Sequence, residues 1–252
     1  MITDVKCIFF SPTGGTKKVA IAASSAVSEN IEKIDLCKVE EEREFSKDDV
    51  VVVAAPVFGG RIPAYMAEKL KFLKGNGANA VSFAVYGNRE FEDALIELND
   101  VLEERGFNVA ASAAVIAQHS MLPEVAEFRP DDEDIVQIEN FMENAKVKIE
   151  KGGFEKLNVP GNRPYKQWQP MPVTPVLTGE CIGCSKCALL CPVGAIDKKD
   201  FSKTDVSKCM LCMRCVAVCP KKAKELPEMA VKMISQKLAE CKKVRKDNKF
   251  FI

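Results

Sequence analysis

The chain reads as an α/β protein: a doubly wound parallel sheet with a small cysteine-rich module behind it. Three observations predict this. Over the first 150 residues, short β-rich runs alternate with segments of helical period. Those runs are apolar throughout instead of alternating, as strands covered on both faces must be. Eight of the 11 cysteines then fall between residues 181 and 219, in two copies of one spacing.

Taken in order, residues 5–10 are a strand and 15–27 a helix. A short strand falls at 31–36. Residues 50–55, Val-Val-Val-Val-Ala-Ala, are a buried strand, followed by a helix at 64–73. A strand at 80–86 leads to a helix at 91–105, and a strand at 109–117 to a helix at 131–148. In such a sheet, ligands bind beyond the carboxyl ends of the strands, so the loops there carry the chemistry.

After the first strand comes Ser11-Pro12-Thr13-Gly14-Gly15-Thr16, opening directly into a helix. Hydroxyls and free backbone N–H groups at a helix N-terminus make an anion site. The alternative is a capped helix start without a ligand. The loop is neither G-x-G-x-x-G nor the lysine-bearing loop of nucleotide hydrolases. After the third strand comes Pro56-Val57-Phe58-Gly59-Gly60-Arg61, and after the fourth Tyr86-Gly87-Asn88-Arg89.

These three loops, at these strand ends and in this order, resemble the phosphate loop and the two ring-binding loops of flavodoxins. The resemblance implies a flavodoxin-like five-stranded sheet with FMN as its ligand. FMN would be held by Ser11, Pro12, Thr13, Gly14, Gly15 and Thr16 at the phosphate. Pro56, Val57, Phe58, Gly59, Gly60 and Arg61 would form the first ring-binding loop, and Tyr86, Gly87, Asn88 and Arg89 the second.

The first cysteine set is Cys181, Cys184, Cys187 and Cys191, followed by Pro192; the second is Cys209, Cys212, Cys215 and Cys219, followed by Pro220. Successive cysteines two residues apart turn their thiolates toward one small object. Zinc sites typically use two separated C-x-x-C pairs, and a third cysteine at the same interval has no use there. Zinc and structural disulfides remain the competing readings. Proline after the last cysteine lacks an N–H and turns the chain away without stranding a donor.

The run resembles that of bacterial two-cluster ferredoxins, in which the fourth cysteine serves the other cluster. The resemblance implies two 4Fe–4S clusters. One would be held by Cys181, Cys184, Cys187 and Cys219, the other by Cys209, Cys212, Cys215 and Cys191. The expected module is a small α+β ferredoxin-like domain whose cubes stand in for a core.

Length and composition agree. With 252 residues, 47% hydrophobic and 29% charged, the chain suits a soluble protein with one large core and an appended module. No apolar run is long enough to cross a bilayer, so membrane insertion is not expected. Clustered thiols call for a reducing compartment, the cytoplasm, and oxygen-labile cubes suggest an anaerobe. The zero net charge hides an asymmetry. Residues 1–150 hold 16 Lys and Arg against 27 Asp and Glu, a balance of −11; the rest hold 20 against 9, a balance of +11. The basic tail, Lys242, Lys243, Arg245, Lys246 and Lys249, reads either as a docking patch for an acidic partner or as a solvated helix end.

The expected organisation is a flavodoxin-like domain over 1–151, a proline-rich linker over 152–175, a two-cluster domain over 176–225, and a C-terminal helix with basic tail over 226–252. The helix, at 227–243, carries an apolar stripe of Leu226, Met229, Ala230, Met233, Ile234 and Leu238.

Isolated residues carry weaker signals. His119, the one histidine, reads either as a proton donor at the flavin edge or as a structural residue at a strand end. Trp168, the one tryptophan, reads as a flavin cover or as the linker's anchor. Cys7 reads as core. Cys37 and Cys241 lack the cluster spacing, and Met210 and Met213 read as packing around a cluster. Lys17 and Lys18 read either as partners of the phosphate or as solvent-facing.

The whole chain resembles single-chain flavodoxin–ferredoxin fusions. That resemblance implies an electron carrier joining FMN and two cubes to redox proteins as donor and acceptor, with a homodimer as one arrangement. The alternative is an FMN-dependent reductase of a quinone, nitro compound or disulfide. Only His119 and Tyr86 offer themselves as general acids, which favours the carrier. Nothing resembles an element that reads nucleic acid.

Overall fold

A computed structural model describes residues 2–153 and 155–252. Met1, in the expected first domain, and Phe154, in the expected linker, lie outside the described residues.

The first part runs β1 (Asp4–Phe9), α1 (Gly15–Ser25), β2 (Asn30–Asp35), β3 (Arg43–Glu44), β4 (Val50–Pro56), α2 (Ala64–Leu70), β5 (Leu73–Lys74), β6 (Asn79–Tyr86), α3 (Ala94–Glu104), β7 (Asn108–Ile116) and α4 (Asp132–Lys151). The second part adds β8 (Val176–Leu177), α5 (Lys186–Leu189), α6 (Arg214–Ala217), β9 (Lys224–Glu225), α7 (Glu228–Lys237) and β10 (Lys249–Phe251).

The main sheet has six strands in the order β10-β7-β6-β4-β1-β2. Its five parallel strands, numbered among themselves from the β2 edge, run 2-1-3-4-5, the flavodoxin-like order. The innermost strand, β4, is buried at every residue, and its four valines suit a pleated surface covered on both faces. The edge strand β2 carries polar Asn30, Glu32 and Lys33 because one side meets water. One apolar layer, including Ile8, Phe10, Leu95 and Leu98, lies beneath α2 and α3. The other, including Val52, Phe83, Phe141 and Met142, lies beneath α1 and α4. Each fully buried Phe or Leu contributes about 1.5–3 kcal/mol.

The sixth strand was not expected. β10 pairs antiparallel with β7 and covers an edge that would otherwise be open. Three residues, Lys-Phe-Phe, are too short to show a strand period. The tail is fixed around Asn248, whose Oδ1 accepts from the Ile116 N–H at 2.9 Å. Its Nδ2 donates to Asp134 at 2.8 Å and to Gln137 at 2.9 Å. Buried Arg129 donates to Asp134 through Nε at 2.8 Å and to the Lys246 carbonyl at 2.7 Å.

The basic tail therefore meets its acidic counterpart inside the chain. Arg245 pairs with Asp131 and Glu133, Lys242 with Glu124, and Lys246 with Glu90. The proline-rich segment is a strap laid on α3. Asp93 accepts from the backbone N–H groups of Asn162 and Lys166, and Asp100 accepts from Arg163 and Tyr165.

Helix α7 is shorter than expected, and its buried stripe is narrower. Leu226, Ile234 and Leu238 are buried with Leu122, Val125, Leu211 and Met213, and Ala230 is buried too. Met229 and Met233 stand outside, 71% and 55% exposed. The helix thus wedges between the sheet domain and the cysteine module. Among the described residues, no helix is long and apolar enough to cross a membrane.

Candidate cluster and flavin site

The cysteine module is built twice from one local plan. Gly183 and Leu211, each two residues after a first cysteine, have φ of 67° and 54°. Ser185 and Met213 share a φ of 61° and each opens a four-residue helix, α5 or α6. Gly194 and Lys222 follow at 59° and 51°. These left-handed turns, strained for Leu, Met and Lys, aim backbone N–H groups at sulfur. Gly183 donates to Cys181 at 3.4 Å, Ala195 to Cys191 at 3.3 Å, and Ala223 to Cys219 at 3.2 Å. Such donors stabilise cluster-bound sulfur and tune its potential.

The thiols divide into two cavities. One is lined by Cys181, Cys184, Cys187 and Cys219, with Leu177, Phe201 and Pro220 around them. The other is lined by Cys191, Cys209, Cys212 and Cys215, with Pro175, Ile196 and Met210. Each cavity takes three cysteines from one motif and the fourth from the other. All eleven cysteines are free, so no disulfide claims them. Among the described residues, no three Cys, His, Asp or Glu side chains are grouped to hold one metal ion.

Burial pushes the Cys212 thiol up to about 12 and that of Cys215 to about 11, so ligation must release their protons. Between them, Arg214 donates to Cys37 at 3.0 Å, while its buried Nε has no partner. Four thiols to a cavity, N–H groups on sulfur and an orphaned cationic donor between two ligands fit an iron–sulfur cube in each.

The other site lies at the carboxyl ends of β1, β4, β6 and β7. A cavity of about 330 Å³ is lined by Pro12, Thr13, Gly15 and Thr16, by Pro56, Val57, Phe58, Gly59 and Gly60, and by Tyr86, Gly87 and Arg89. All three expected loops meet in one space, of a size that suits a small ligand. Helix α1 starts at Gly14, φ 102°, with no side-chain cap and no acid in its first turn. The Lys17 N–H is taken by the Ser11 hydroxyl, and the N–H groups of Gly15 and Thr16 at the helix start are left to an anion. Gly59 and Gly60, φ 61° and 92°, form the tight turn that pairs Phe58 with Arg61.

Four expected residues stand off the cavity. Ser11 accepts from the Lys17 N–H at 2.9 Å. Gly14 faces a neighbouring groove. Arg61 makes a two-pronged pair with Glu97, both bonds 2.7 Å. Asn88 donates to the carbonyls of Cys241 and Val244, both at 2.7 Å, fastening the C-terminal segment.

His119 lines the cavity, but its Nδ1 accepts the N–H groups of Met121 and Leu122 at 3.3 and 3.2 Å. Burial pulls its pKa down to about 4. Burial also raises the Tyr86 phenol to about 12. Neither group is poised to exchange a proton at neutral pH. Lys18 donates to the Pro130 carbonyl and is not left to a phosphate. Trp168 both anchors the strap and walls the cavity: its indole covers Gly59.

The wall also takes Met210, Leu211 and Cys212 from the cysteine module, and Ile234 and Lys237 from α7 with Leu238 just beyond its end. Cys212 thus lies on both this cavity and that of Cys191, Cys209 and Cys215. Nothing in the sequence marks that contact. The repeat could have flagged the turns, because Leu211 and Met213 stand where the first motif has Gly183 and Ser185.

Residues 180–223 match the family described as a 4Fe-4S dicluster domain. Among curated proteins, none matches the sequence. Solved structures similar to the first part include rubredoxin oxygen:oxidoreductase from the anaerobe Desulfovibrio gigas, at 17% identity and TM-score 0.42. That likeness spans 58% of this chain and 37% of that one. A flavodoxin from the domain Archaea is 16% identical, TM-score 0.43, over 59% of this chain and 99% of that one. Flavodoxin 1 from Bacillus cereus is 20% identical, TM-score 0.40, over 59% and 98%. The fold assignment rests on strand order. The family match marks this chain as one that carries an iron–sulfur domain. Its 4Fe–4S dicluster domain follows a flavodoxin-like domain, as in a flavodoxin–ferredoxin fusion.

Proposed function

We propose that the chain is an electron carrier that links outside one-electron redox proteins to an FMN through two 4Fe–4S clusters. Bound FMN supplies one- and two-electron chemistry, and each cube supplies one-electron chemistry. Thr13, Gly15, Thr16 and the α1 N-terminus would hold the phosphate. The loops at Phe58–Gly60 and Tyr86–Arg89, with Trp168, would enclose the ring.

One observation carries the reading: Cys212 lines both the flavin-loop cavity and the cavity it shares with Cys191, Cys209 and Cys215. The first cube lies at the outer end, where Cys181 and Cys184 are exposed. Exposed Ile182 and Leu189 beside them offer a partner an apolar contact. The reading carries with it a reducing compartment. Neither His119 nor Tyr86, both on the cavity wall, is poised to donate a proton, which favours the carrier over a reductase with a substrate of its own.

The test is anaerobic stopped-flow reduction of the FMN-loaded protein by a reduced ferredoxin. Flavin bleaching should slow at least tenfold in Cys191→Ser, which removes a second-cube ligand without touching the flavin cavity. Equal rates in both proteins would contradict the path. Rapid turnover of a quinone or nitro compound, saturating in that compound, would favour the reductase.

A further inference from the structure

Lys224, on β9, is 1% exposed. Its ammonium reaches only the Pro175 carbonyl at 3.4 Å and the Thr204 hydroxyl at 3.5 Å, the outer limit for a hydrogen bond. Among the described residues no carboxylate pairs with it. A buried ammonium without an anion is costly, and such groups persist where something offsets them.

The repeat argues that the charge is not needed for folding. Lys224 stands at the same place after the second motif as Ile196 after the first, and Ile196 is likewise buried, at 4%. Both meet Thr204: Ile196 by a backbone bridge and Lys224 by its side chain. An apolar side chain of similar length therefore suits the position.

Lys224 shares a cavity wall with cysteines of both motifs. Lys224 lines the cavity of Cys181, Cys184, Cys187 and Cys219. Both of its hydrogen-bond partners, Pro175 and Thr204, line the cavity of Cys191, Cys209, Cys212 and Cys215. Four thiolates on each oxidised cube leave net negative charge, which each added electron deepens. A fixed cation in a poorly polarisable interior attracts that charge strongly.

We propose that Lys224 is the internal counter-cation shared by the two clusters. It raises both reduction potentials and eases the second electron into the module. Each cube gains one electron from an outside one-electron donor, which loses one; Lys224 itself neither gains nor loses a proton or a bond. The proposal rests on the two-cluster reading.

The experiment uses the full chain with its clusters and flavin loaded, in the wild type and in Lys224→Met, Lys224→Gln and Lys224→Arg. Redox titration followed by electron paramagnetic resonance reads each cluster midpoint, and flavin absorbance reads the third. The proposal expects both cluster midpoints to move negative in the Met and Gln variants and to return in the Arg variant, with the flavin midpoint shifted least. Unchanged cluster midpoints in iron-replete Lys224→Met would overturn it. So would an Arg variant that behaves like Met, or loss of iron from all three variants alike, which would mark a packing role. A wild-type chain that binds no iron would instead break the cluster reading itself.

Discussion

A Cβ added to Gly59 would lie 1.9 Å from Nε1 of Trp168, so the strap's indole and the ring loop's backbone are in direct contact. That contact joins the two halves of the chain at the flavin-loop cavity. Sequence alone separates these residues by more than the length of most elements. Gly59 also has a φ of 61°, which costs an L-residue roughly 1–2 kcal/mol. Gly59→Ala should therefore push the indole outward, and the red shift of Trp168 emission will show it. Trp168→Ala should keep the fold and weaken FMN binding about tenfold, roughly 1.4 kcal/mol. Fluorescence titration with FMN checks this; unaltered affinity in Trp168→Ala would remove the indole from the site.

The crossed cavities make a prediction about pairs. Cys191→Ser with Cys212→Ser strikes two ligands of one cube and should leave about four iron atoms per chain. Cys191→Ser with Cys184→Ser strikes both cubes and should leave far less. Iron analysis of the two double variants decides the matter, and the reverse ranking would mean that each motif keeps its own cube.

The cluster of Arg129, Asp134 and Asn248 fastens β10 to the sheet. Removing one partner of a buried ion pair strands the other. Arg129→Met should therefore cost about 3–5 kcal/mol of stability. Urea unfolding monitored by far-ultraviolet circular dichroism measures it. A loss below about 1 kcal/mol, the scale of a surface pair, would show that the pair contributes little.

His119 predicts a pH dependence. Its folded pKa, about 4, lies below its ordinary 6.5 because burial disfavours the cation. The unfolded state then takes up the proton first as pH falls. The stability this group contributes is full above pH 6.5 and is lost as pH falls toward 4. Between pH 7.5 and pH 5 the loss is about 2 kcal/mol. Asn can accept the same backbone N–H groups without titrating, so His119→Asn should lose that much less over this range. Denaturant melts at the two pH values read the difference, and parallel losses in both proteins would refute the account.

The parallel sheet was legible because buried strands such as residues 50–55 carry one signal from end to end. The cysteine spacing was legible because ligand geometry constrains the chain locally. The strap was hidden because Asp93 and Asp100 read as ordinary helix-surface acids until Asn162, Arg163 and Tyr165 lie across them. The basic tail carries only a charge signal in sequence, and its acidic partners Glu90, Glu124 and Asp131 lie more than a hundred residues away. Met229 and Met233 joined the expected stripe because helical period marks a face but not its width. Arg61 and Asn88 were expected at the ring and turn instead to Glu97 and to the C-terminal segment. A loop's position in sequence does not say which way its side chains face.

On the proposed function, one chain would hold a flavin and two cubes that adjoin at Cys212. Anaerobic purification followed by iron, sulfide and flavin analysis tests it most directly. The account predicts about eight iron atoms and about one FMN per chain. Tightly bound zinc, iron near half that value, or a protein that takes up no flavin would contradict it.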